Sequence, residues 1–253
     1  MIEKIKISDR LYMLKDSMDC YSNLIIGSEK ALLFDTGSGA DDLKTAVRQI
    51  TGLPLLVIAS HGHFDHIGGS YQFDEVYLSC KDRNIVESYE VEKLREWIGK
   101  EDYDPKGFQR IKDLDFDGFS LGDIEGQIIE LPGHSRGSVG VYFPEMKLLL
   151  SGDSLTPVMC LFFKNHGTVL DELETLEKVK KLGVAHFLTA HSDKIMNVSI
   201  LDRMTECLKN CKGKKFLKYR YSKPPFSEGY FHLYSMKDEP VGVIVESLEE
   251  VSE

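Results

Sequence analysis

The run His61-Gly62-His63-Phe64-Asp65-His66 places four potential metal ligands within six residues and is followed at once by Ile67-Gly68-Gly69. It serves neither a helical nor a strand period, and three imidazoles with a carboxylate are costly to bury unpaired. Neutral imidazole and carboxylate are natural ligands for a borderline-soft divalent cation such as zinc. The run therefore reads as a metal site.

Four other segments share one design, an apolar stretch that ends on an acid or a histidine. They are Ala31-Leu32-Leu33-Phe34-Asp35, Ile128-Ile129 leading to Leu131-Pro132-Gly133-His134, Leu148-Leu149-Leu150-Ser151-Gly152-Asp153, and Phe187-Leu188-Thr189-Ala190-His191. In layered α/β folds, groups at strand ends converge on a common crevice. These segments are therefore expected to deliver their terminal side chains to one place.

The ordered set closely resembles the metallo-β-lactamase superfamily over about residues 10 to 195. The HxHxDH motif is complete at His61, His63, Asp65 and His66, and the later motifs match at His134, Asp153 and His191. The resemblance implies that His61, His63 and His134 hold one cation, that Asp65, His66 and His191 hold a second, and that Asp153 bridges them. Asp35 would orient the site from behind. Zinc is the expected metal, two ions per chain, with iron or manganese as alternatives. Two departures bear on substrate choice: Ser135-Arg136-Gly137 stands where the family commonly has Thr-Pro-Gly, and Ala190 precedes His191 where it often has Gly. Arg136 is expected to be a solvated surface residue, with an anionic substrate group as the other reading.

The implied fold is α/β, an αββα four-layer sandwich with a helical insert around 81–117, and residues 1–253 form a single metallo-β-lactamase-like domain. Periodicity places its elements. Leu24–Ile26 and Ala31–Asp35 flank a hairpin turn. Leu43, Ala46, Val47 and Ile50 mark a helix face, Leu55–Ala59 is an apolar strand that delivers the metal loop, and Val76–Leu78 is another strand. A helix over 170–182 carries Glu174–Lys178 and Glu177–Lys181 as outer pairs, and a second helix spans 199–211. The insert, with Ile85, Val91, Leu94, Trp97 and Ile98, reads as a helix of several turns, either a lid on the site or a remote decoration. The strand-rich tail (Phe226, Tyr230, Phe231, Val241, Val243, Val245) is expected to complete the last layer of the sandwich.

Other residues of reactive type are assigned elsewhere. His186 and His232 are expected to be structural, and His166 sits in a turn. Cys207 and Cys211 belong to a helix's apolar stripe, and nothing near Cys160 lowers its pKa. Tyr21, Phe64, Phe162 and Phe163 neighbour the motifs, with core packing their expected fate and pocket lining the alternative. Five irregularly spaced cysteines argue against a disulfide framework. The chain carries 31 Lys and Arg against 41 Asp and Glu, a net charge of −10 that disfavours nucleic acid. No stretch approaches the ~20 apolar residues of a membrane span, and the amino terminus lacks an apolar signal core. A cytoplasmic protein with a small-molecule substrate is expected, of unspecified oligomeric state.

Two cations ~3.5–4 Å apart can share a water and bring its pKa toward ~7. The resemblance thus implies a metal-dependent hydrolase in which a metal-bridging hydroxide cleaves a small ester, thioester or lactone, with Asp65 orienting the water. Its motifs are near those of glyoxalase II, but the long helical glutathione-binding tail is missing. Two alternatives stand beside it: a mononuclear-iron oxidoreductase of the persulfide dioxygenase type, needing only His61, His63, His134 and Asp153, and a metal-stabilised binding protein without turnover.

Overall fold

The computed structural model describes residues 1–101, 103 and 105–251. Seven strands form the first sheet in chain order: β1 (Glu3–Lys6), β2 (Leu11–Lys15), β3 (Tyr21–Ile26), β4 (Ala31–Phe34), β5 (Leu55–Ile58), β6 (Val76–Leu78) and β7 (Ile111–Asp113). β1 to β4 are antiparallel, and β4 to β7 run parallel. The second sheet begins with β8 (Gly118–Ser120), β9 (Glu125–Glu130), β10 (Val139–Phe143) and β11 (Leu148–Leu150). The chain then leaves it for β12 (Val158–Leu161) and returns in β13 (His186–Leu188) and β14 (Met196–Asn197). A third sheet, in the order β12-β17-β16-β15, is completed by β15 (Leu217–Arg220), β16 (Glu228–Ser235) and β17 (Val241–Val245).

The apolar runs of the central strands are explained by burial on both faces. In β4, Leu32 and Phe34 meet Val141, Phe143, Leu148 and Leu150 of the second sheet, while Ala31 and Leu33 meet Leu43 and Val47 of helix α1 (Leu43–Arg48). In β11, Leu148 and Leu150 face the first sheet, and Leu149 turns to the opposite core. That core is closed by Leu176 and Val179 and by Leu201, Met204 and Leu208, from two helices described below. The layers are helix, sheet, sheet, helix, the expected αββα sandwich.

Three expectations need correction. The insert is not one long helix. After α2 (Phe64–Ile67), a single turn in the metal loop, it forms α3 (Arg83–Glu87) and α4 (Val91–Ile98), separated at Ser88-Tyr89-Glu90, and ends in strand β7 at the edge of the first sheet. The tail does not extend the sandwich sheets, because β12 pairs in parallel with β17 and draws it into the third sheet. Helix α5 (Val169–Lys181) begins on a capping box between Thr168 and Asp171, but its outer charges pair differently from the i,i+4 expectation. Lys178 donates to the Glu130 carbonyl at 2.7 Å, and Glu177 pairs with Lys180 at 3.6 Å. Helix α6 (Ile200–Asn210) follows, and Cys207 and Cys211 are buried in its core face as expected. No helix among the described residues is long and apolar enough to cross a membrane.

Candidate metal centre

Every acid and histidine singled out in the motifs lies just beyond the carboxyl end of a strand. Asp35 follows β4, the His61–His66 loop follows β5, His134 follows β9, Asp153 follows β11 and His191 follows β13. The parallel course of β4 with β5, and of β11 with β13, brings these ends to one rim. Gly68 and Gly69 let the metal loop sit there: a Cβ on either would lie 2.1 Å from a backbone oxygen, that of Ser38 or of Thr36. Close approach of two backbones is the reason for glycine at these positions.

All seven sequence-identified side chains meet. His61 Nε2 lies 2.9 Å from His63 Nδ1, and that atom lies 3.0 Å from His134 Nε2. On the other flank, Asp65 Oδ2 is 3.7 Å from His66 Nε2 and 3.4 Å from His191 Nε2. Asp153 Oδ2 stands between the flanks, 3.5 Å from His134, 3.4 Å from His66 and 3.4 Å from His191.

Hydrogen bonds on the far side of four of the five rings bear on what these atoms can be, while His134 Nδ1 has no partner. His63 Nε2 faces the Lys164 carbonyl at 3.3 Å, and His191 Nδ1 faces the Asp19 carbonyl at 3.3 Å. His66 Nδ1 faces Asp35 Oδ2 at 3.0 Å. Carbonyl and carboxylate oxygens only accept, so these nitrogens carry the protons. Ser60 Oγ donates to Asp35 and accepts from His61 Nδ1 at 2.9 Å. His61 and His63 therefore turn bare lone pairs inward within 3 Å of each other, while His66 and His191 aim their Nε2 atoms at Asp65 and Asp153. The approach of His61 to His63 is repulsive until a cation lies between them. Asp153 Oδ1 and His66 Nε2 are buried without a hydrogen-bond partner, as atoms awaiting an ion would be. The donor set fits a pair of divalent metals.

Electrostatics divide the flanks. Burial pushes His61 and His63 below the usual histidine range and His134 down to about 3, so all three are neutral. Burial acts the same way on His66 and His191, but neighbouring carboxylates, Asp153 foremost, outweigh it and raise His191 to about 10 and His66 well above its ordinary value. Burial opposes ionisation of Asp65 and Asp153, yet His66 and His191 hold both below the ordinary carboxylate range.

Asp35 has φ +68°, rare for a residue with a side chain, and this turns its carboxylate back onto the metal loop. There it accepts from the Ser60 amide at 2.6 Å and from His66, matching its expected orienting role. Sequence reasoning missed a second such residue. Asp82 is fully buried and accepts from the Gly62 amide (3.0 Å), the Ser135 hydroxyl (2.6 Å), the Gly137 amide (2.9 Å) and Asn165 Nδ2 (2.8 Å). It ties together the loops that carry His61, His134 and Lys164. A Cβ on Gly137 would come 2.6 Å from Asp82, so the contact requires glycine there, although nothing in the sequence links the two positions. Cys20 was missed too; its buried Sγ is 3.9 Å from Asp65 Oδ2, and burial with the surrounding carboxylates keeps it a thiol.

The centre opens into a cavity of about 610 Å³. Phe64, Phe162 and Phe163 line it; Phe64 and Phe162 are also buried as core residues, so for these two both expected fates apply, whereas Tyr21 packs between the sheets. The insert contributes Tyr89 to the cavity wall; Trp97 packs on Phe64, 5.4 Å between ring centres. The insert therefore buttresses the metal loop and, among the described residues, touches the pocket at Tyr89. Cys160 lines the wall, but burial pushes its thiol up to about 12. The expectations for the remaining residues hold: Arg136 is exposed, His186 is exposed at the start of β13, and His232 bonds the Lys215 carbonyl. His166 pairs with Glu246 at 3.2 Å and does not line the cavity.

A family model described as the metallo-beta-lactamase superfamily matches residues 17–191. The chain is 26% identical over 211 residues to the acyl-coenzyme A thioesterase MBLAC2 of Homo sapiens, covering 70% of this chain and 76% of that protein. It is 28% identical over 143 residues to the hydroxyacylglutathione hydrolase GloC of Haemophilus influenzae, covering 53% of this chain and 65% of that one. Among solved structures, TTHA1623 in a di-iron-bound form superposes with a TM-score of 0.59 and 26% identity, over 73% of this chain and 92% of that chain.

Proposed function

The chain belongs to the metallo-β-lactamase superfamily, and from that premise we propose that it is a dinuclear metal hydrolase acting on a small acyl thioester. The observation that supports this reading is the convergence of three imidazoles on one flank of Asp153 and of Asp65, His66 and His191 on the other. The thioesterase and hydroxyacylglutathione hydrolase relatives support thioester over ester or lactone. His61, His63 and His134 would hold one cation, Asp65, His66 and His191 the other, and Asp153 both. A mononuclear iron dioxygenase would need only the first three histidines and Asp153, so convergence of Asp65, His66 and His191 supports hydrolysis instead. Zinc is the proposed ion, with iron the first alternative given the di-iron form of TTHA1623.

When bound, the cations supply Lewis-acid polarisation of the thioester carbonyl and acidify water at the centre. The protein's own groups do the positioning. Asp65, ionised and open to the cavity, accepts a hydrogen bond from the attacking water and orients it toward the carbonyl carbon. Asp35 and Asp82 hold the two principal loops at fixed separation. Phe162 and Phe163 exclude bulk water from the acyl side of the cavity. All five cysteines are free, which supports a reducing, cytoplasmic setting. The third sheet packs on α6 and walls the cavity, so we read the chain as one catalytic unit.

The test is metal quantification of the purified protein combined with assays on thioesters, esters, lactones and phosphodiesters. Two metal equivalents and thioester turnover, lost on chelation and restored by metal, are expected. One iron per chain with oxygen uptake would overturn the reading.

A further inference from the structure

Tyr221 follows β15, in the third sheet and beyond the segment matched by the family model. Its ring meets Phe163 edge-on at 5.3 Å, and Phe163 in turn meets His63 at 5.6 Å and His134 at 5.8 Å. Two aromatic contacts thus fix the phenol relative to the metal centre. Tyr221 lines the cavity together with Asp65, Asp153 and His191. Its hydroxyl has no hydrogen-bond partner among the described residues, although a partly buried tyrosine ordinarily finds one. Tyr103 donates to the Gly68 carbonyl at 2.8 Å and Tyr71 to the Gly39 carbonyl at 3.0 Å. On the cavity wall itself, Thr156 is committed to the Asp153 carbonyl at 2.9 Å.

We propose that Tyr221 is a catalytic residue whose phenolic O–H donates a hydrogen bond to the carbonyl oxygen of the bound thioester as negative charge gathers there. The proposal rests on the hydrolase reading above. Water oxygen bonds to the carbonyl carbon, and the C=O π pair moves onto the oxygen facing Tyr221. The carbonyl re-forms as the C–S bond breaks, the sulfur leaves with that bond's electron pair, and a proton released from the water converts it to a thiol. Carboxylate and thiol are the products, the second proton of the water is released to solvent, and Tyr221 keeps its own proton throughout. Burial, reinforced by the Asp65 and Asp153 carboxylates, holds the phenol well above the usual tyrosine range, so it remains a donor at every working pH. A donor fixed before reaction is worth more than one that must reorganise.

Tyr221→Phe keeps the ring contact and removes only the donor. On a thioester that the wild type hydrolyses, kcat should fall about 10²-fold, the loss typical of one such donor. KM should stay within about twofold, with metal content and melting temperature unchanged, as for an interaction made only in the transition state. An unaltered kcat, a rise confined to KM, or loss of bound metal would each overturn the proposal while leaving the hydrolase reading in place. A wild type that hydrolyses none of the substrates would bring down that reading and this proposal together.

Discussion

On one flank of Asp153 stand His61, His63 and His134, almost sealed from solvent and kept neutral chiefly by burial, with the neighbouring imidazoles adding to it. On the other stand Asp65, His66 and His191, where opposite charges compensate and the side chains of His191 and Asp65 remain 36% and 21% exposed. The first flank is fitted to retain a cation, since nothing there competes with it for the lone pairs. Asp65 and His191 of the second flank line the cavity, as do His63 and His134 of the first, whereas His61 and His66 lie behind it. The two flanks of one centre thus differ in charge and in solvent exposure.

The comparison is broken most severely at the shared residue. Asp153→Ala should abolish loading of at least one metal and lower kcat/KM by about 10³-fold or more, whereas His232→Ala should leave both untouched. Metal analysis beside steady-state kinetics distinguishes them, and equal losses would refute the ligand assignment. Next in size, His61→Ala should empty the sealed flank, while His191→Ala should leave about one equivalent bound. Loss of both ions in His191→Ala would show that the flanks do not load separately. Asp82→Asn replaces one acceptor oxygen by a donor amide that faces other donors. It should cost about 2–3 kcal/mol by denaturant unfolding and weaken metal affinity about 10- to 100-fold.

A group outside both flanks bears on stability alone. Glu172 on α5 is fully buried beneath the His134 loop, close enough that a Cβ on Gly133 would fall 1.8 Å from Glu172 Oε2. Burial raises its carboxyl to about 8. Unfolding releases its proton once the pH exceeds the ordinary glutamate value, so its contribution should weaken by up to about 1.4 kcal/mol per pH unit from ~4.5 to ~8 and then level off. Glu172→Gln should flatten that slope in thermal melts across the window. An unchanged slope would mean that Glu172 is ionised in the folded protein.

The seven converging donors were legible because each stands at the end of an apolar strand, where residue type and position point the same way. Asp82 was not, because a lone acid in an irregular segment resembles any surface carboxylate. Only the contact with Gly62 and Gly137, made in three dimensions, distinguishes it. The sandwich followed from hydrophobic periodicity and the resemblance. The third sheet did not, because the pairing of Val158 with Gly242 is set by tertiary contacts that local pattern does not encode. Phe163 reads as core for the same reason: an apolar residue lining a pocket has the same sequence signature as one filling a layer. The insert's break at Ser88-Tyr89-Glu90 interrupts an otherwise continuous apolar stripe without glycine or proline to mark it.

That late pairing also orders the events of synthesis. A nascent polypeptide that has emerged only as far as His191 already contains every donor of the centre, yet β12 still has a bare edge. Its neighbour β17 is synthesised after every one of those donors, so the pairing that closes the third sheet can form only after all seven have been made.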